Sequence, residues 1–77
     1  MKFEEFVSVH KDDTPLQKLN QLMAAADIYS HNRVQAMTCM RNYNYEDAVY
    51  YHSETDQMDK RMRWLYDELK VALGGAI

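Results

Sequence analysis

A mainly apolar row in the C-terminal half of the chain recurs three and four residues apart without a break: Ala48, Tyr51, Thr55, Met58, Met62, Leu65, Leu69 and Ala72. That spacing is the signature of one face of a helix. Asn44 precedes it as a capping residue, with Glu46 and Asp47 in the first turn. Gly74 and Gly75 follow where a helix stops. Residues 15 to 41 carry a second such row: Leu16, Leu19, Met23, Ala26, Ser30, Arg33, Met37 and Met40. Ahead of it "DDTPLQ" is a strong helix start, with Thr14 as cap, Pro15 at the first helical position and Gln17 placed for a capping box. Between the helices "RNYNYED" is the break, and Asn42 is expected to close the first helix in a left-handed conformation.

The two rows predict a hairpin. Folding them antiparallel about Asn42 and Tyr43 sets Leu16 opposite Leu69, Met23 opposite Met62, Ser30 opposite Thr55 and Met37 opposite Ala48. Apolar layers then meet apolar layers, and the polar layer meets the polar one. Residues 2 to 11 place Phe3, Phe6, Val7 and His10 on one helical face, which predicts a short helix, although "FVSVH" also reads as a strand. The expected fold is all-α, a single domain over residues 1–77. It is an antiparallel two-helix hairpin with a short N-terminal helical arm, assembling as a homo-oligomer.

The oligomer follows from a surplus of apolar surface. The first long helix has a further stripe, Leu22, Ala25, Tyr29, Asn32, Ala36 and Cys39, and the second adds Tyr50, Trp64 and Val71 off its seam. A hairpin buries one face of each helix, and ten arm residues do not cover the rest. Leu22, Ala25, Tyr29, Ala36 and Trp64 are therefore expected at an interface between protomers.

Composition narrows the classes. A chain of 77 residues buries a modest core, which favours association. No apolar run reaches membrane-spanning length, and "MKFEEFVSVHK" lacks a signal-peptide pattern. The single cysteine, Cys39, fits a reducing cytoplasm, and the net charge of −3 argues against DNA and anionic membranes.

Candidate chemistry clusters around the break. Tyr43, Tyr45, Tyr50 and Tyr51 lie near Arg41 and His52, a combination that stacks bases and binds phosphate, or else packs the hairpin end. Arg33 in the seam either reaches Glu54 or Asp56 across the hairpin, or waits for an anion with Ser30 and Thr55. "DKRMRWLYDELK" holds the four-apart pairs Asp56–Lys60, Asp59–Arg63 and Arg63–Asp67, which make a self-paired, solvated face. Asp27 with His31, and His52 with Asp56, have metal-ligand spacing but no third ligand signature, so surface pairs are expected and metal is not. No glycine-rich phosphate loop or activated nucleophile is present, so neither an enzyme nor a cofactor is expected.

The arm element Phe6, Val7, Val9 and His10, the two antiparallel helices, and "MDKRMRW" with Met58, Asp59 and Trp64 resemble the small helical-hairpin sponges with which phages sequester immune signalling nucleotides. "NYNYED" and Leu65-Tyr66 depart from that family's pattern. The resemblance implies an oligomeric, non-enzymatic nucleotide binder with an anti-defence role. With the residue reading it nominates Arg33, Arg41, Tyr43, Tyr45, Tyr51 and His10 for the ligand. The alternative is a protein–protein inhibitor or adaptor that docks on a host protein through Leu22, Tyr29, Ala36 and Trp64.

Overall fold

A computed structural model describes residues 2–74 and shows three helices: α1 (Phe3–His10), α2 (Pro15–Arg41) and α3 (Tyr45–Ala72). The arm is helical, not extended. α2 and α3 pack along one another as a hairpin, and α1 lies against α3, giving a slab of 46 × 24 × 15 Å.

The ends of the helices have explicit causes. Thr14 Oγ1 accepts from the Gln17 N–H at 3.2 Å, and Gln17 Oε1 accepts from the Thr14 N–H at 2.8 Å, closing the capping box. Asn44 Oδ1 accepts from the Asp47 N–H at 3.3 Å, while Asn44 Nδ2 donates to the Asp47 carboxylate at 2.8 Å. At the turn the expected residue is displaced by one. Asn42 keeps a negative φ of −92°, and Tyr43 takes the left-handed conformation at φ 59°. The Asn44 N–H then reaches the Cys39 carbonyl at 2.8 Å, and the Tyr43 N–H reaches that of Met40 at 3.1 Å. These two bonds form a Schellman closure, which requires the left-handed residue one place beyond the cap. Gly74 plays the same part after α3, with φ 66°. Gly75 falls outside the described residues.

The level at which the helices meet agrees with the expected register to within a residue: Lys18 Nζ lies 3.2 Å from Glu68 Oε1 across the hairpin. The rotation of α2 does not agree. Its buried face is Lys18, Ala25 and Asn32, flanked by half-buried Leu22, Tyr29, Ala36 and Cys39. The row expected in the seam is outside, with Leu16 67% and Met23 61% exposed, and Leu19, Met37, Met40, Ser30 and Arg33 exposed too. α2 is turned by one position, about 100°. Leu22, Ala25, Tyr29 and Ala36, expected between protomers, instead form the seam within one chain. Size explains the choice. α3 brings Met58, Leu65 and Leu69 inward, all buried, and small residues on α2 accommodate that bulk at close approach.

α1 covers one flank of α3. Phe6 is buried, its ring edge-on to Trp64 at 6.0 Å and capped by the Arg61 guanidinium at 4.5 Å. His10 lies 4.5 Å from the same ring and shares a 2.7 Å contact with Asp13. Lys18, buried beside Glu68, stands 5.9 Å from the Trp64 ring. Trp64 thus meets the arm of its own chain, where an interface between protomers was expected.

Candidate functional site

The other flank of the hairpin is open. There α2 and α3 border a groove of about 710 Å³. Ala36, Met37 and Met40 of α2 and Ala48 and Val49 of α3 supply its apolar surface, with the rings of Tyr29 and Tyr45. Charged and polar groups rim it: Arg33 on one helix, and His52, Thr55, Asp56, Asp59 and Arg63 on the other. Helical periodicity sets this composition. On α3, positions 45, 49, 52, 56, 59 and 63 step three and four apart along one edge, away from the flank that carries Arg61 and Trp64. A shallower depression of about 520 Å³, formed by Leu22, Met62, Arg63, Tyr66 and Asp67, shares Arg63 with the groove and extends it towards the chain ends.

Rim contacts hold the long side chains along the helices. Arg63 Nε is 3.1 Å from Asp59 Oδ2, one of the expected four-apart pairs. Arg33 Nη1 donates to the Tyr29 hydroxyl at 3.2 Å, so the guanidinium lies along α2 on the outside and is not buried in the seam. The Thr55 hydroxyl, expected to form a polar layer with Ser30, donates to the His52 carbonyl of its own helix at 2.6 Å, and Ser30 is exposed.

Only part of the expected ligand set converges. Arg33 and Tyr45 line the groove. Tyr51 is half-buried and edge-on to Tyr50 at 5.3 Å, outside the lining. Arg41 and Tyr43 are exposed at the turn, where Tyr43 meets Tyr45 edge-on at 6.4 Å. His10 belongs to the arm, on the other flank. Met37, Met40, Val49, Asp59 and Arg63 line the groove and were not anticipated as site residues. The signal was available, because lining positions 45, 49, 52, 56, 59 and 63 step three and four apart along one edge of α3.

His52 and Asp56 both face the groove, whereas Asp27 and His31 are exposed on α2 outside it. Among the described residues no three His, Cys, Asp or Glu side chains are grouped to hold a metal ion. Nor is any described helix long and apolar enough to cross a membrane. Two guanidinium groups, two carboxylates and an imidazole around apolar walls equip the groove for binding by shape and charge.

No family model, no curated protein and no solved structure matches this chain.

Proposed function

We propose that this protein is a non-enzymatic helical hairpin that acts by taking the apolar face of another helix into its open groove. One observation carries the reading. The groove walls are largely Ala, Met and Val, while the rim carries both signs of charge, Asp56, Asp59 and Arg63 on α3 and Arg33 on α2. An amphipathic helix presents the complement of that pattern, a row of apolar side chains flanked by charges. Methionine walls adapt to the side chains they receive.

Site-specific photo-crosslinking tests it. A photoreactive phenylalanine at Val49, inside the groove, should attach to a protein segment with apolar residues three and four apart. The same group at Ser53, exposed and outside the lining, should not. Attachment at Ser53 alone, or at neither position, would overturn the reading.

A second reading, the nucleotide sponge, is supported by Arg33, Arg63 and Tyr45 lining one groove, since guanidinium binds phosphate and a phenol ring stacks a base. On that reading, titration with cyclic dinucleotides or ADP-ribose derivatives releases heat that Arg33→Ala abolishes. An athermal titration across the panel leaves helix docking alone.

A further inference from the structure

The exposed row on α2 has an internal symmetry that bears on which helix the groove receives. Its members stand at 16, 19, 23, 26, 30, 33, 37 and 40. Read outward from position 28, the spacing is the same in both directions. Side-chain size is mirrored too. Leu16 matches Met40, Leu19 matches Met37, Met23 matches the long stem of Arg33, and the small pair Ala26 and Ser30 flanks the centre. In an antiparallel two-fold contact residue i of one copy meets residue j of the other and j meets i, so a row with this mirror packs on its own copy layer by layer.

Resting on the helix-docking reading, we propose that the occupant is α2 of a second copy of this chain, related by a two-fold axis at the level of position 28. Leu16 of one copy packs on Met40 of the other, and Leu19 on Met37. Small residues at the axis let the two helices approach closely. Most of the row is uncovered within the chain, with Leu16 67%, Met23 61% and Met40 59% exposed.

Length supports a second copy. The row spans about 36 Å at 1.5 Å per residue, so an antiparallel pair of these helices covers it end to end. Charge supports it as well. The second α2 runs parallel to α3, so Asp59 stands about level with Ser30 of the other copy, one turn from its Arg33. Symmetry provides two such opposite-charge approaches at the groove rims.

Sedimentation equilibrium of the full chain should give twice the 9.1 kDa chain mass. Leu19→Lys with Met37→Lys should weaken association about 100-fold, as burying charges in place of a paired apolar contact does at each end of the interface. Helicity should be retained, because both side chains are exposed within the chain. Direction is read separately, in a Cys39→Ser background. Mixed Ala26→Cys and Ser30→Cys chains should form the 26–30 disulfide in preference to 26–26 or 30–30.

A 9.1 kDa species persisting to about 1 mM, where binding free energy is only ~4 kcal/mol, overturns the inference. So does a preference for the two like-position disulfides, which a parallel contact would produce. Crosslinks from Val49 to a different protein, with this chain monomeric, would retain the docking reading and remove the second copy. A monomer without crosslinks from Val49 would remove both.

Discussion

The two flanks of the hairpin draw on the same stock of residues, aromatic rings beside arginine and aspartate, and use them differently. On the covered flank Phe6, Trp64 and Arg61 face one another, and the arm closes over them. On the open flank Tyr29, Tyr45, Arg33 and Arg63 are spread along a groove whose methionine and valine walls remain in solvent. The contrast teaches where stability and binding reside. A ring that meets a second ring and a cation inside the chain contributes to the fold. Apolar groups left at the edge of two helices contribute nothing until something covers them.

The sharpest contrast is energetic. Leu65→Ala removes a fully buried side chain, and urea unfolding should show a loss of about 4 kcal/mol. Met40→Ala, on the groove wall, should change stability by less than about 0.5 kcal/mol when both proteins are unfolded at dilutions where the chain is dissociated. Similar losses would erase the distinction. Next, Phe6→Ala should cost about 3 kcal/mol and shift Trp64 emission to the red as the arm leaves its ring. A blue or unchanged emission maximum would mean that the arm does not shield Trp64.

Effects at the helix ends should be smaller. Thr14→Ala breaks the capping box that starts α2 beside the covered flank, and should cost about 1 kcal/mol in the same assay. At the turn, Tyr43 holds a left-handed backbone that disfavours a side chain by about 1–2 kcal/mol. Tyr43→Gly should recover part of this, a net gain of about 0.5 kcal/mol after the added freedom of the unfolded chain is counted. A net loss would mean that the ring contact with Tyr45 contributes more than the strain removes.

Helix boundaries were legible in the chain because caps and breakers act locally. Thr14-Pro15-Leu16-Gln17 and Asn44 did what their chemistry requires. The antiparallel level was legible too, since it follows from helix length and turn position. The rotation of α2 was not. Apolar residues occur on more than one face of that helix, and the wider, larger-residue row looked like the seam. The selection was made by fit against α3, whose Met58, Leu65 and Leu69 turn inward against the face of α2 that holds Ala25. The groove inherited this error. Arg33, Met37 and Met40 read as interior positions, so their common edge with Val49 and Arg63 went unrecognised. The Tyr43 and Arg41 nominations rested on proximity in sequence, and that of His10 on the family resemblance of the arm. Exposure at the turn and the opposite placement of the arm separate them from the groove.

Arm docking also has a kinetic side. Contacts between α2 and α3 begin at a tight turn and extend outward, so the hairpin closes by short steps with little chain entropy lost at each. The Phe6–Trp64 contact joins nearly the two ends of the chain and has no surface to land on until α3 has formed. The arm therefore docks last and leaves first. Its connection to α2 runs through exposed Lys11 and Asp12, so a trypsin-like protease should cut after Lys11 before it cuts within the paired long helices.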